Sequence, residues 1–260
     1  MRHIDRKDLL VQLLPVVRTA GDAIMAIYRR GSADVSHKVD ASPVTKADLA
    51  SHRVLATHLA QLLPGCQVVS EEDPISLVYR QSAGRFWLID PLDGTKEFIA
   101  RNGEFTVNIA LIEEGRSTLG VVYAPAIDAL YWGGTGLGAF RCKGDQTVTI
   151  NVEPAAEVHA CRVVASKSHL NEATQAMTDR LGDVSLVQAG SSLKFCRVAE
   201  GEADIYHRLA VSGTRRHPGR CWRGRGGAVV DLDGQPLLHG KPDVLNPSFI
   251  ATRDTTLIPA

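Results

Sequence analysis

Apolar side chains recur at helical spacing from Asp8 to about Tyr28, through Leu9, Leu10, Leu13, Leu14, Val17, Ala20, Ile24 and Ile27. That period predicts an amphipathic helix, stopped by the Gly31-Ser32 pair. A second amphipathic helix is predicted over 46–63, ended by Pro64 and Gly65. The period then changes. Short strands are expected at 66–69 and 86–89, and apolar residues alternate in a meander from Phe105 to Phe140. The first half therefore reads as helices laid on an antiparallel sheet. Beyond about residue 155 the two patterns alternate, with strands at 162–166, 184–187, 203–206 and 227–230 and helices at 170–181 and 192–200. No repeat, low-complexity tract or long linker intervenes. The expectation is an α/β (α+β) chain with an N-terminal α+β half at 1–154 and a smaller α/β half at 155–260, sharing an interface and a cleft.

At 260 residues and 44% hydrophobic content the chain can bury a substantial core. Its 29 Lys plus Arg balance 29 Asp plus Glu, so no overall field draws in nucleic acid or anionic lipid, and any phosphate chemistry must be local. The few, scattered aromatics offer no stacking platform, so nucleic acid is not an expected partner. The cysteines Cys66, Cys142, Cys161, Cys196 and Cys221 are odd in number and lack CxxC spacing, which points to reduced thiols and a cytoplasmic protein. Charges precede only a short apolar run at the N-terminus, so no signal peptide or integral membrane segment is expected; peripheral contact with the inner membrane is left open. His3, His37, His52 and His58 lie on polar helical faces or loops without ligand spacing. Nothing in the sequence sets an oligomeric state.

The chemistry concentrates in Trp87-Leu-Ile-Asp-Pro-Leu-Asp-Gly-Thr95. Asp90 and Asp93 follow an apolar strand, and Pro91 and Gly94 are expected to force a turn that aims both carboxylates into one space. Two anions so close repel unless a cation sits between them. Hard oxygen ligands with open positions suit magnesium. Upstream, Val68-Val-Ser-Glu-Glu-Asp73 offers a further carboxylate cluster at another strand end, with Glu71 the candidate ligand. Each piece alone has a plain reading, the first as a tight turn and the second as a solvated one.

Together these runs resemble the inositol monophosphatase superfamily, whose signature is D-P-L-D-G-T and whose first metal motif resembles Ser70-Glu-Glu-Asp73. DPLDGTKEFIARNGEFTVNIALIEEG, GVVYAPA and GSSLKFCRVAEGEADIY are similar to its 3'(2'),5'-bisphosphate nucleotidase branch. The resemblance implies a layered αβαβα sandwich. It implies Mg2+ held by Glu71, Asp90, Asp93 and the Leu92 backbone carbonyl. It also implies that Thr95 and Asp48, the latter in Ser42-Pro-Val-Thr-Lys-Ala-Asp48, orient and deprotonate the attacking water. Gly94 and Thr95 would open a helix running to about Ile99 whose N–H groups cradle phosphate. Gly190, Ser191 and Ser192 resemble the substrate-side loop. For Asp48 the alternative is a first-turn residue favouring the helix dipole, and for Ser192 a simple N-cap. The implied activity is removal of the 3' phosphate of a small-molecule nucleotide bisphosphate, adenosine 3',5'-bisphosphate or its sulfated form, to give AMP. An inositol or sugar phosphate phosphatase and a catalytically impaired nucleotide-binding relative are the alternatives.

The pattern breaks at Val211-Ser-Gly-Thr-Arg-Arg-His-Pro-Gly-Arg-Cys-Trp-Arg-Gly-Arg225, which has five arginines and no apolar periodicity. The family's last metal motif, W-D-x-A, should stand here. With suitable codons the frame beginning at the third base of the Val211 codon spells QWDTAAPGAVLEGAG, restoring W-D-T-A and an amphipathic helix. Family-like sequence resumes at Gly226. A pair of compensating frameshifts, with two or three residues lost near Ala210, accounts for the stretch; the alternative is a lineage-specific surface insertion, in which case another residue such as Asp204 would supply the missing charge.

Overall fold

The computed structural model of the chain describes residues 5–31, 35–37, 43–151, 160–165, 172–209, 228–239 and 247–258. The expected boundary between residues 154 and 155, Ser42 and the Val211–Arg225 stretch lie outside the described residues.

Asp5 caps helix α1 (Arg6–Arg30) by accepting the Lys7 N–H, and Gly31, at a φ of 76°, ends it by donating to the Tyr28 carbonyl. A hairpin of β1 (Val35–His37) and β2 (Pro43–Thr45), absent from the sequence reading, leads into α2 (Lys46–Leu62). The main sheet runs in chain order through β3 (Gln67–Ser70), β4 (Arg85–Asp93), β5 (Thr106–Glu113), β6 (Arg116–Ala124), β7 (Ala129–Gly134), β8 (Gly138–Lys143) and β9 (Gln146–Ile150). The meander thus extends one strand beyond Phe140. The expectation of an antiparallel sheet fails at one pair: β3 and β4 are parallel, because a 3-10 turn at Pro74–Val78 and the short α3 (Tyr79–Ser82) carry the chain back across the sheet. That exception positions the site, since both strands now end on the same edge. Helix α4 (Thr95–Ile99) links β4 to β5.

The second sheet contains β10 (Cys161–Ala165), β11 (Val184–Gln188), β12 (Ile205–Arg208), β13 (Ala228–Asp231) and β14 (Phe249–Thr252) in the order β11-β10-β12-β14-β13. Helices α5 (Glu172–Asp179) and α6 (Leu193–Ala199) flank it. Strand β14 was not legible in the sequence; it pairs antiparallel with β12 and β13.

Three apolar clusters define the layers. Leu13, Val17 and Ile24 of α1 and Leu55 and Leu59 of α2 pack on Trp87, Ile109 and Val121 of the main sheet. The opposite face of that sheet, through Val122, Tyr131 and Ile150, meets Phe195 and Val198 of α6 and Tyr206 and Phe249 of the second sheet. Met177 of α5 then covers Val163, Ile205 and Ile250 on the far side. The order is αβαβα, as the resemblance implied. Among the described residues α1 is the helix long and apolar enough to span a bilayer, but its apolar stripe is committed to this core.

Candidate active site

The carboxylates three residues apart on β4 would point to opposite faces of a regular strand. They do not, because Asp90 pairs with Asn108 while Asp93 pairs with Thr106, so one extra residue is inserted on β4. This bulge replaces the turn expected from Pro91 and Gly94, and strand pairing continues through Asp93. Both side chains are buried, at 3% and 5% exposure. Parallel pairing sets Ser70 against Ile89, so Glu71, the first residue past β3, follows level with Asp90, which stays paired with Asn108.

Asp48 lies on the first turn of α2 and is fully buried. One oxygen, Oδ2, accepts the Thr45 N–H at 2.7 Å and the Thr45 hydroxyl at 2.6 Å, forming a capping box; Oδ1 accepts the Thr95 hydroxyl at 3.3 Å. The capping and catalytic readings of Asp48 are therefore compatible, one per oxygen. Thr95 Oγ1 also lies 3.4 Å from the Leu92 carbonyl, which places that carbonyl beside the Asp48–Thr95 pair. Gly94 permits the geometry: its φ is 94°, and a Cβ there would meet Ser191 Cβ at 3.0 Å and the Glu104 carbonyl at 3.2 Å.

The loop from the other half closes the site. Ser192 begins α6, yet its side chain makes no cap; its hydroxyl donates to Asp93 Oδ2 at 2.6 Å. Ser191 holds a φ of 42°, uncommon for a residue with a side chain, and its Oγ lies 3.4 Å from Thr106 Oγ1. A Cβ at Gly190 would meet Glu104 and Glu97 side-chain carbons at 2.9 Å, so the two halves approach here as closely as glycine allows.

Three contributors, Ser51, Lys194 and Arg208, were missed by the sequence reading. Ser51, one turn after Asp48, donates to the Pro91 carbonyl at 2.7 Å and fastens α2 to the bulge. Lys194 is nearly buried beside Asp93, Glu97 and Glu104; desolvation lowers its pKa and the Asp93 and Glu97 carboxylates oppose that shift. Arg208 adds a second cation on the same side. Nothing in their local sequence marked them, since a helical serine and a helical lysine are ordinarily solvated. Asp204, offered as a stand-in for the absent motif, is engaged elsewhere. Its Oδ1 accepts Arg162 Nη2 and Arg253 Nε, both at 2.8 Å, and its Oδ2 accepts the Arg162 backbone N–H at 2.8 Å. Burial alone would raise that carboxyl, but these bonds hold it below the usual range.

The donor set is hard oxygen throughout: Glu71, Asp90, Asp93 and a carbonyl, which suits a divalent cation such as magnesium. Among the described residues no group of three His, Cys, Asp or Glu side chains, Glu71, Asp90 and Asp93 included, is gathered closely enough to hold a metal ion.

A bulged strand end with buried carboxylates, a threonine–aspartate pair and a glycine–serine loop beside the second sheet together form the candidate site. Residues 5–259 match the inositol monophosphatase family, and the chain belongs to it. It is 43% identical over 245 residues to the 3'(2'),5'-bisphosphate nucleotidase CysQ of Escherichia coli K12, covering 93% of this chain and 98% of that one. The CysQ of Salmonella typhimurium LT2 is 42% identical over 248 residues, covering 94% and 99%. The crystal structure of CysQ from Bacteroides thetaiotaomicron superposes with a TM-score of 0.80 at 34% identity, covering 95% of this chain and 98% of that one.

Proposed function

We propose that this site hydrolyses the 3' phosphate of adenosine 3',5'-bisphosphate to give AMP, in a 3'(2'),5'-bisphosphate nucleotidase reaction that requires Mg2+. The pairing of the Asp48–Thr95 hydrogen bond with the bulged Asp90–Asp93 carboxylates carries the reading. Glu71, Asp90, Asp93 and the Leu92 carbonyl would hold the cation. When bound, it supplies positive charge against the phosphate oxygens and acidifies water.

The chain's own groups supply the rest. Thr95 donates its hydroxyl proton to Asp48 Oδ1, leaving its lone pairs free to accept a proton from water. As water attacks phosphorus, its proton passes to Thr95 and that of Thr95 to Asp48, while the bond from phosphorus to the 3' oxygen breaks and that oxygen takes a proton from solvent to become the 3' hydroxyl of AMP. Asp48 stays fixed because its other oxygen is tied to Thr45. The loop of Gly190, Ser191 and Ser192 approaches closely enough to confine the phosphate, and Ser192 fixes the Asp93 carboxylate.

A second phosphate on the substrate needs a second positive region. Lys194, desolvated beside Asp93, Glu97 and Glu104, together with Arg208, supports a bisphosphate over a monophosphate. The CysQ relatives support the same choice. The free thiols Cys66, Cys142, Cys161 and Cys196 support a cytoplasmic enzyme. The test is hydrolysis of adenosine 3',5'-bisphosphate, inositol monophosphate and fructose bisphosphate side by side with Mg2+. A clear preference for inositol monophosphate overturns the nucleotidase reading.

A further inference from the structure

Helix α2 reaches the site with Asp48, Ser51 and His52, which share one face at spacings of three and four. The first touches Thr95 and the second the Pro91 carbonyl. His52 is half-buried, and its Nδ1 lies 2.9 Å from Ser70 Oγ. Ser70 is the last residue of β3 and is 1% exposed.

The turn that begins at Ser70 carries Glu71. The Asp73 N–H donates to the Ser70 carbonyl at 3.2 Å, making Glu71 and Glu72 the two corner residues. The Glu72 N–H donates to Ser70 Oγ at 3.2 Å. Ser76 braces the same turn, accepting the Ser70 N–H at 3.0 Å and donating to the Asp73 carbonyl at 2.6 Å. The Ser70 hydroxyl thus links this turn to α2.

A hydroxyl has one proton and two lone pairs. With Nδ1 of a neutral ring taking the proton, a lone pair of Ser70 faces the Glu72 N–H. Burial holds the His52 ring below its ordinary pKa despite the pull of Asp73 and Glu72, and Arg53 adds to the lowering, so the neutral form is favoured.

We propose that His52 is a positioning residue for Glu71: through the Ser70 hydroxyl it fixes the turn that holds the Glu71 carboxylate beside Asp90, and so sets the affinity of the divalent-cation site. This rests on the reading of Glu71 as a ligand. Groups that orient metal ligands typically change metal affinity about 10- to 100-fold when removed.

The test is calorimetric titration of the metal-free full chain with Mg2+ alone, for the wild type, His52→Ala, Ser70→Ala, Glu71→Gln and the His52→Ala/Glu71→Gln pair. His52→Ala and Ser70→Ala are expected to weaken Mg2+ binding about 10-fold. His52→Asn, whose amide oxygen can accept near the Nδ1 position, is expected to restore most of the affinity. The double variant is expected to bind no more weakly than Glu71→Gln alone. Wild-type affinity in His52→Ala, with loss in Glu71→Gln, overturns the role of His52. A further loss in the double variant overturns it too, since His52 would then act on the fold rather than through Glu71. Wild-type affinity in Glu71→Gln overturns instead the ligand reading beneath it. Should His52→Ala fail to fold, Ser70→Ala carries the same test.

Discussion

Asp48 gives each of its oxygens a different task, so a change that spares its shape separates them. Asp48→Asn leaves one acceptor where two are needed. Turnover is expected to fall about 10²- to 10⁴-fold, the usual worth of a positioned proton transfer. The helix cap is expected to lose only about 1 kcal/mol. Measuring kcat beside the melting temperature checks both, and a variant that merely melts earlier would confine Asp48 to capping. Thr95→Ala should lower turnover over a similar range of about 10² to 10⁴ while leaving Mg2+ affinity nearly intact. For Asp90→Asn the expectation is loss of magnesium-dependent hydrolysis with the fold retained, because an amide keeps an oxygen but not the charge. Near-normal turnover with unchanged magnesium dependence would move the metal elsewhere.

At the level of elements, the site is made by two irregularities in one sheet. The parallel pairing of β3 with β4 sets Glu71 level with Asp90, and the β4 bulge shifts the register between Asp90 and Asp93. Elsewhere, β12 and α5 are joined by a buried histidine. His207 Nε2 lies 3.1 Å from both Thr178 Oγ1 and the Thr174 carbonyl. Burial lowers its pKa below 6.5 despite the Thr174 bond. The unfolded chain therefore binds more protons than the folded one between that depressed value and 6.5, so stability rises with pH through the window and is lost as pH falls below it. Each unit of depression is worth about 1.4 kcal/mol. Urea midpoints measured from pH 5 to 7.5 should fall on the acid side, and His207→Gln should flatten that fall. An acid limb unchanged by the substitution would exclude His207 as its source.

Across the whole molecule, Glu200 at the end of α6 is the clearest ionic tie between the halves. It accepts the Tyr131 hydroxyl at 3.2 Å, Arg141 Nη1 at 2.8 Å and Arg197 Nη1 at 2.9 Å, with its side chain 5% exposed. Because the arginines left behind are about 30% exposed and can be hydrated, removing Glu200 costs on the order of 1–3 kcal/mol. Glu200→Ala is thus expected to lower the melting temperature by several degrees, at about 2–4 °C per kcal/mol for a chain of this size. A shift within about 1 °C would contradict a structural role for the tie. Replacing 211–225 by the alternative-frame sequence, with two or three residues restored before it, tests the frameshift. Melting temperature and phosphate release over a magnesium titration should both increase, because the W-D motif returns a carboxylate to the site. Equal activity in the two proteins would sink the frameshift reading.

Features that depend on near neighbours were legible along the chain. Helical and alternating periods gave α1, α2 and most strands, and the short runs around Asp90, Asp93 and Glu71 gave the candidate metal site and its kind of ligand. It missed β14 and the β1–β2 hairpin, which are short and gain stability from partners distant in the chain. It gave Asp93 a turn rather than a bulge, because the extra residue exists only relative to Thr106 and Asn108 on β5. Ser51, His52 and Lys194 read as ordinary helical polar residues, since burial is a property of what packs against them. Tertiary structure alone decided that α2 spans both carboxylate motifs, that Ser192 serves Asp93 instead of capping its helix, and that Asp204 is engaged by two arginines. Spacing along a chain fixes which side chains share a face, but a hydrogen bond forms only where two distant segments meet.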